Sequence, residues 1–386
     1  MSAGIVMLVN EFPPLQVGGA ERQAERLSKY LSLRGWPVWV ITRHQKGLSY
    51  EEMQNGFRVT RLAAVGPGKL KTITFVLGIL WQLWRLKNNY EILHAHLAVG
   101  PAFAGVVAAR ILRKDSIVKF GNTSGEFGGI VSSKRTLRGR LRLHFIRRWV
   151  DVVIVLDDAM RQEVITAGFD PARVRLLPNG IDSTAIGTSD LVSPSRPMMN
   201  PEDRITAIFV GRLTKQKSLP TLLSALSIAV QSCPSLHLVL LGDGPERSNL
   251  EHQAVALAIT RQVTFAGYHP NVESYLRSAH IFVLPSVSEG ISNALLEAMS
   301  FGLPCLASSV GGNVEVLDHG KYGVLLPPND VKAWARALEE MAAAASWRLE
   351  MGELARRRIV ENYDFRVIGM KYEEMYEELL RERRND

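Results

Sequence analysis

The sequence predicts an α/β protein built from two doubly wound, Rossmann-like domains that face a cleft. Short apolar runs alternate with helical patterns in two series along the 386 residues, and a stretch rich in Ser, Thr and Pro separates them. The apolar runs are continuous, which is typical of parallel strands covered by helices on both faces. Ligands of such sheets bind beyond the carboxyl ends of the strands, so we expect the functional residues there.

The first series of elements occupies residues 1–182. Residues 5–9 have the pattern of a strand, and residues 18–33 that of a helix with Ala24, Leu27 and Leu31 on one face. Further strands are predicted at residues 38–41, 58–62, 92–95, 117–120, 152–156 and 174–177. Helical segments between these runs predict a parallel sheet covered on both faces.

The second series begins after a linker at residues 183–203 and fills residues 204–363. Strands are predicted at residues 205–210, 236–241, 263–266, 281–284, 304–307 and 323–325, and residues 331–384 have helical patterns. The chain therefore has two domains of about the usual size.

Composition excludes several protein classes. Charged residues make up 22% and hydrophobic residues 46%, which excludes disordered and fibrous proteins. Two cysteines, Cys233 and Cys305, exclude a disulfide scaffold and favour a reducing compartment. No apolar run has the ~18 residues of a membrane span, and the start lacks the basic segment of a signal peptide, so we predict a cytoplasmic protein.

Charge is distributed unevenly. Residues 1–178 hold 26 Lys and Arg against 13 Asp and Glu, a net +13, whereas residues 179–386 hold 20 against 25, a net −5. Seven cations lie between Lys134 and Arg148, where large apolar residues recur every four positions. This segment suits the inner face of an anionic membrane, although a solvated basic helix has the same pattern. No nucleic-acid motif accompanies it, so we expect no nucleic-acid partner.

The strongest motif has two glutamates, Glu289 and Glu297, after the predicted strand 281–284. Ser292 lies between them and is a good helix N-cap, so a helix N-terminus with free backbone N–H groups is expected at a strand's carboxyl end. Glu297 lies on an otherwise apolar helix, where a carboxylate needs donors such as vicinal sugar hydroxyls. Two glutamates in unrelated roles remain the alternative.

Three glycine-containing loops also follow predicted strands. Gly211 and Arg212 precede Lys217 after strand 205–210, and a planar guanidinium with a lysine suits a pyrophosphate. A solvated basic loop is the alternative, and we assign no role to Lys215. Gly242, Asp243, Gly244 and Pro245 form a turn after strand 236–241, and Gly18 and Gly19 precede the first helix. The dinucleotide pattern G-x-G-x-x-G is absent at that helix.

Together these motifs resemble the retaining glycosyltransferases of family 4, which have the GT-B architecture. The resemblance covers nearly the whole chain. It rests on Gly18-Gly19-Ala20-Glu21, His94-Ala95-His96, Pro178-Asn179-Gly180-Ile181-Asp182, Gly211-Arg212 with Lys217, Glu289 with Glu297, and Gly311-Gly312-Asn313 with Glu315. It implies a metal-independent glycosyltransferase without a cofactor, because the nucleotide sugar is a substrate.

The resemblance also implies roles for individual residues. Arg212 and Lys217 would neutralise the leaving diphosphate, Glu297 would hold the ribose hydroxyls, and Glu289 would contact the transferred sugar. The remaining donor contacts would come from the backbone of Gly290, Ile291, Ser292 and Asn293 near the phosphate, from Gly242, Gly244, Pro245 and Tyr268 near the base, and from Gly18 and Gly19 in the opposite domain. The last helix, residues 364–386, would return to the first domain.

The chain departs from the family at one position. Many relatives have a histidine after the strand that is here residues 117–120, and this chain has Gly121 there. Asn122, Ser124 or Glu126 could occupy that acceptor-side space, and His96 is the remaining candidate histidine, unless it is structural.

The resemblance therefore implies a retaining transferase that moves a sugar from a nucleotide donor, most simply a UDP-sugar, to a sugar or lipid-linked acceptor in glycan, polysaccharide or glycoconjugate biosynthesis. Two alternatives remain. One is another GT-B enzyme, either an inverting transferase or a sugar-nucleotide epimerase. The other is a non-catalytic module that binds a sugar nucleotide or a membrane.

Overall fold

The structure, a computed structural model, describes residues 3–14, 18–96, 100–121, 137–183 and 204–385. The chain divides into two compact units: Met1–Gly180 with Phe365–Asp386 form the first, and Ile181–Asp364 form the second. Each unit has its own predominantly parallel sheet with helices between the strands. The α/β class and the two doubly wound domains are therefore confirmed.

The first unit contains an eight-stranded sheet in the order β3-β4-β2-β1-β5-β6-β7-β8. Its strands are β1 Ile5–Leu8, β2 Val38–Arg43, β3 Glu51–Gln54, β4 Phe57–Leu62, β5 Ile92–His96, β6 Asp115–Lys119, β7 Val152–Val155 and β8 Val174–Leu176. All neighbours pair in parallel except β3 and β4. The strand order reverses between β1 and β5, so their carboxyl ends form the switch point of this sheet.

Within the described part of this unit, six helices cover the sheet: α1 Gly19–Leu33, α2 Lys69–Arg85, α3 Gly100–Leu112, α4 Leu137–Trp149, α5 Asp158–Thr166 and α13 Phe365–Asn385. Met7 of β1 lies in one core cluster with Leu27 of α1 and Ile368 of α13. The next residue, Leu8, lies beside Gly105 of α3. Successive strand residues point to opposite faces, so α1 and α13 cover one face and α3 covers the other.

Helix α13 is the last element of the chain and packs on α1 of the first unit. Glu373 accepts hydrogen bonds from Tyr30 Oη and Trp36 Nε1, each 2.9 Å long. A Cβ atom on Gly369 would lie 2.5 Å from the Tyr30 ring, so only glycine permits this approach. These contacts fix the position of the helix that carries Tyr372 and Tyr376.

Strand β3 is an element that the sequence analysis missed. Residues 51–54 lack apolar alternation, and the strand pairs antiparallel with β4 across Asn55 and Gly56. Both turn residues have positive φ angles, 48° and 87°. An Asn-Gly pair is the usual sequence of a two-residue hairpin turn, so this signal could have revealed the strand.

The second unit contains a six-stranded, all-parallel sheet in the order β11-β10-β9-β12-β13-β14. Its strands are β9 Ile205–Val210, β10 Leu236–Leu241, β11 Val263–Gly267, β12 Ile281–Leu284, β13 Cys305–Ser308 and β14 Val324–Leu326. Its helices are α6 Leu219–Ser232, α7 Arg247–Ala256, α8 Glu273–Ser278, α9 Asn293–Ser300, α10 Gly312–Val316, α11 Val331–Ala343 and α12 Ala345–Asn362. Strand order reverses between β9 and β12, which places the switch point there.

Candidate functional site

The switch point of the second unit brings the two strongest sequence motifs together. Strand β9 leads into the loop with Arg212 and Lys217, and the adjacent strand β12 leads into the loop with Glu289. Both loops start at the carboxyl edge of the sheet because the strands are parallel. This edge is where doubly wound sheets bind ligands.

Hydrogen bonds and an ion pair join the two loops directly. Gln216 O accepts a 2.9 Å hydrogen bond from Val287 N, and Gln216 Nε2 donates a 2.7 Å bond to Ser288 O. Lys217 Nζ forms an ion pair with Glu289 Oε1, which also accepts a 2.6 Å bond from Ser286 Oγ. The ion pair therefore restrains both the Lys217 and the Glu289 side chain.

Burial distinguishes the two cations of this site. The Lys217 and Glu289 side chains are only 17% and 9% exposed, whereas Arg212 is exposed. A largely desolvated ion pair interacts strongly, and removing one partner leaves a costly unpaired charge. Arg212 is exposed instead, so its planar guanidinium can donate two parallel hydrogen bonds to the oxygens of an anion. The site therefore has one positive group, Lys217, that is held in place by an ion pair, and a second, Arg212, that is exposed to solvent.

Gly242 lets the β10 loop lie against the β9 loop. It has a φ of +141°, and a Cβ atom there would lie 1.9 Å from Gly211 O. Leu213 N donates a 3.0 Å hydrogen bond to Asp243 O, which connects the same two loops. Gly244 also lies against Leu213, and Pro245 beside it is exposed. Backbone contacts thus hold this turn at the edge of the sheet.

Helix α9 begins beside these loops and carries Glu297. Ser292 is its N-cap and accepts a 3.4 Å hydrogen bond from Leu295 N. Gly290 and Ile291 lie in the turn before the helix, and Asn293 is its first residue. The loop with Gly311 lies against this turn, since a Cβ atom on Gly311 would be 1.9 Å from Glu289 O. Glu297 is half-buried on the second turn.

Tyr268 extends the same edge of the sheet. It follows β11 and is 42% exposed. Gly242 N donates a 2.8 Å hydrogen bond to Gly267 O, which connects the end of β11 to the turn with Gly244 and Pro245. The predicted residues that follow β9, β10, β11 and β12 therefore lie on loops at one edge of this unit.

The first unit holds the remaining described candidates. Gly18 is the N-cap of α1, and Gly19 is its first residue. Glu21 follows in the first turn, where burial raises the pKa of its carboxyl group. A carboxylate in the first turn interacts favourably with the helix dipole. The sequence motif thus forms the start of a helix after β1, at the switch point of this sheet.

His96 ends β5 and is buried. Its ring stacks on His94, with the centroids 4.3 Å apart, and His94 Nδ1 lies 2.7 Å from Tyr376 Oη. Neither ring nitrogen of His96 has a hydrogen-bond partner among the described residues. Burial, followed by the neighbouring His94 and Lys119, lowers the pKa of His96 well below its usual value. A neutral imidazole there retains one nitrogen donor and one acceptor.

Lys119 is a buried residue that the sequence analysis missed. Its Nζ donates hydrogen bonds of 2.9 Å to Asn179 Oδ1 and 3.0 Å to Tyr372 Oη. Burial lowers the pKa of Lys119 to about 7. The signal was a lysine inside an apolar predicted strand, because such a residue needs polar partners that the rest of the fold must supply.

Several predicted residues cannot be placed. Asn122, Ser124 and Glu126 lie outside the described residues, as does the start of the basic segment at Lys134. Its described part is α4, where Phe145 packs on Trp149 with ring centroids 4.9 Å apart. The apolar rings of α4 therefore lie against each other and against α3 through Phe103.

The described ranges contain neither a metal site nor a membrane-spanning helix. Across them, no group of three His, Cys, Asp or Glu side chains is arranged to hold a metal ion. Among the helices in those ranges, none is both long enough and apolar enough to cross a bilayer.

Two family models together match most of the chain. The model for glycosyl transferases group 1 matches residues 196–358, and the model for glycosyltransferase family 4 matches residues 17–185. The chain is 26% identical to a glycogen synthase of Mycobacterium tuberculosis, over 96% of this chain and 94% of that protein. It is 25% identical to one subunit of the human phosphatidylinositol N-acetylglucosaminyltransferase, over 96% of this chain and 75% of that protein.

Solved structures share the fold. HepE from Anabaena, crystallised in complex with UDP and glucose, superposes with a TM-score of 0.80 over 97% of this chain and 99% of that one, at 20% sequence identity.

Proposed function

This chain belongs to the group 1 glycosyltransferases of family 4 type and is a glycosyltransferase of GT-B architecture, and we propose that it transfers a sugar from a UDP-sugar to an acceptor hydroxyl with retention of anomeric configuration. The product would be a glycan, polysaccharide or glycoconjugate. The observation that carries this proposal is that the loop with Arg212 and Lys217 is joined to the loop with Glu289 at the switch point of the second unit, through the Lys217–Glu289 ion pair.

Arg212 and Lys217 are proposed to stabilise the departing diphosphate. Negative charge grows on the leaving phosphate as the glycosidic bond breaks, and positive groups already in place lower that barrier. The ion pair with Glu289 holds Lys217 in position before substrate arrives. Arg212 is exposed and can form two parallel hydrogen bonds to phosphate oxygens.

The other residues of this edge are proposed to orient the donor. Glu289 would accept hydrogen bonds from hydroxyls of the transferred sugar, and Glu297 from the ribose hydroxyls. Backbone N–H groups of the turn into α9, at Gly290 through Asn293, suit a phosphate. Tyr268 and the turn with Gly242, Gly244 and Pro245 would contact the base.

Uracil is the proposed base of the donor. HepE, which shares the fold, was crystallised with UDP and glucose. A metal ion is not required in this proposal, because Arg212 and Lys217 supply the positive charge that a divalent cation would supply in other transferases.

A lipid-linked acceptor is the proposed second substrate. The human relative is named for transfer to phosphatidylinositol. The basic first half of the chain suits an anionic surface. His96 is the proposed acceptor-side histidine, and its buried, unprotonated ring suits a hydrogen bond to a neutral hydroxyl. The configuration of the product's anomeric carbon distinguishes this retaining reaction from an inverting one.

A nucleotide-binding screen tests the proposal. UDP at ~100 times its dissociation constant should stabilise the protein by about 2.7 kcal/mol, visible as a higher melting temperature. Arg212→Ala should reduce the shift, whereas Lys215→Ala, an exposed lysine of the same loop, should retain it. A melting-temperature shift with GDP or ADP and none with UDP would show that the donor's base is not uracil. No shift with any of the three nucleotides would contradict the proposed donor site.

A further inference from the structure

Helix α2 of the first unit exposes an unusually apolar face. Five large side chains on this helix are at least half exposed: Leu70, Ile73, Leu77, Trp81 and Trp84, with exposed fractions of 50%, 52%, 59%, 55% and 57%. Two are tryptophans, whose rings are seldom left in water. An exposed apolar patch of this kind marks an interaction surface.

The five side chains form one continuous stripe. Their spacings of three or four residues place them on one side of a helix. At about 100° per residue they span about 80° of the helix circumference. The opposite side carries Phe75, Ile79 and Leu83, which are all buried. The helix therefore already packs on its own unit, and the stripe is a second apolar face. We call it the α2 stripe.

Positive charges flank the α2 stripe. Lys69 and Lys71 lie at the start of the helix, and Arg85 and Lys87 lie at its end. The Arg85 guanidinium lies 5.4 Å from the centre of the Trp81 ring, and Lys87 Nζ lies 4.8 Å from the Trp84 ring. No Asp or Glu occurs between Glu52 and Glu91.

We propose that the α2 stripe is the surface by which this protein inserts into the headgroup region of an anionic lipid bilayer. Apolar and aromatic side chains bordered by Lys and Arg are the features of a helix lying in a membrane interface. The exposed residues run from Leu70 to Trp84 along a helix of about 25 Å whose opposite side is buried, so the helix would lie along the surface. Indole rings favour this boundary because they are apolar with one polar edge.

Charge favours a bilayer over a second copy of the chain. Stripe-to-stripe contact between two copies would bring the cations at the ends of both α2 helices together, without an acidic residue on either helix. Like charges brought together in this way oppose association. Anionic headgroups instead complement all four cations and accept the apolar side chains between them.

Helix α2 differs from the basic helix α4 in how its large apolar side chains are packed. Helix α3 contacts both α2 and α4, so the three helices belong to one layer. Phe145 and Trp149 of α4 pack on each other, and Phe145 packs on Phe103 of α3. Helix α4 can therefore supply charge near a bilayer, while α2 supplies the inserting side chains. This inference deepens the proposed lipid-linked acceptor by naming the surface that would meet the lipid.

Vesicle binding tests the inference. The wild-type protein is mixed with vesicles of phosphatidylcholine and phosphatidylglycerol, or of phosphatidylcholine alone, and sedimented. We expect binding to the anionic vesicles that weakens as salt rises from about 50 to about 500 mM. A variant with Leu77→Ser, Trp81→Ser and Trp84→Ser should bind at least about 100-fold more weakly, because each large apolar side chain contributes roughly tenfold.

The matched control carries Leu33→Ser, Ile111→Ser and Val255→Ser, three exposed apolar residues outside the stripe. It should bind vesicles as the wild type does. Acyl chains labelled with bromine should quench the wild-type tryptophan fluorescence, and quenching should fall in Trp81→Phe with Trp84→Phe. Release of UDP from a UDP-sugar without vesicles should be unchanged in every variant, so loss of that activity reports on the donor site and not on this surface.

Three results would overturn the inference. The first is wild-type protein that fails to sediment with anionic vesicles at low salt. The second is a stripe variant that binds these vesicles as well as the wild type does. The third is a concentration-dependent dimer that the stripe variant abolishes, without vesicle binding, which would identify a second copy as the occupant.

Discussion

Arg212 and Lys217 belong to one motif but have different environments, and this difference leads to separate predictions. Arg212 is exposed, whereas Lys217 is largely buried against Glu289. Exposed charges contribute little to stability, while a buried, paired charge cannot be removed without leaving its partner unsatisfied.

Replacing Arg212 should affect nucleotide binding and catalysis but not stability. Arg212→Ala should lower turnover by about 10²-fold or more, because a charge-stabilising donor is lost from the transition state. Its melting temperature should equal that of the wild type. Lys215→Ala is the control in the same loop and should have near-normal turnover and stability. Equal turnover in Arg212→Ala and Lys215→Ala would show that Arg212 does not contribute to the donor site.

Replacing Lys217 should affect both catalysis and stability. Lys217→Ala takes the cation away from the Glu289 carboxylate, which keeps its hydrogen bond from Ser286, and we expect a stability loss of up to about 3 kcal/mol. Adding Glu289→Gln should recover part of that loss, because the unpaired charge disappears. Urea unfolding of the two single variants and the double variant measures this coupling, and strictly additive losses would show that the pair contributes nothing.

At the residue scale, the sequence allowed the candidate residues of the second unit to be named but not their pairing. Lys217 and Glu289 are far apart in sequence, and the strand order that makes their loops neighbours is not visible in local patterns. Lys119 was missed for the same reason: its partners Asn179 and Tyr372 come from distant segments.

Among the elements, the loops at the β9 and β10 ends depend on Gly242. Gly242→Ala would place a Cβ atom 1.9 Å from Gly211 O, which forces the two loops apart. We expect weaker nucleotide binding and a stability loss larger than that of Gly320→Ala. Gly320 also has a positive φ, +101°, but no atom within 4 Å of an added Cβ, so it isolates the backbone cost of about 1–2 kcal/mol. Equal stability losses in the two variants would show that the close contact with Gly211 O adds no cost beyond that of the backbone conformation.

The parallel strands were the most predictable elements, because short, continuous apolar runs that alternate with helical patterns are typical of buried parallel strands. Strand β9 matches its predicted bounds, and β12 does too. Strand β3 was not predicted because it lies at the sheet edge, where its residues Glu51–Gln54 are not core-forming. The exposed apolar face of α2 was not predicted, because it depends on which side of the folded helix packs on its own unit.

For the whole molecule, the buried histidines predict how stability depends on pH. Burial, with a smaller contribution from Lys119, lowers the pKa of His94 to about 3, and the pKa of His96 is also lowered. Between pH 6.5 and about 3 the unfolded chain binds protons at these sites that the folded chain does not, so stability falls as pH falls. Lys119 has a pKa of about 7 in the folded protein, below its ordinary value of 10.5. Between these two values the unfolded chain holds a proton that the folded chain has lost, so stability rises with pH there.

Unfolding by urea between about pH 7 and about pH 5 measures this effect. His96→Gln should reduce the dependence of the unfolding free energy on pH by up to about 1.4 kcal/mol per pH unit, the effect of one proton. His252→Gln, at an exposed histidine, is the control and should retain the wild-type dependence. An unchanged slope in His96→Gln would mean that this ring is protonated in the folded protein.

The central claim is that the site of the second unit activates a UDP-sugar, and donor turnover tests it most directly. The wild-type protein and the Arg212→Ala variant are each incubated with UDP-glucose labelled in the sugar, once in buffer alone and once in EDTA. We predict that the wild type consumes the labelled donor at a rate that EDTA leaves unchanged, and that the substitution lowers this rate about 10²-fold. Labelled donor that remains intact with the wild type but is consumed when magnesium or manganese is added would contradict this account.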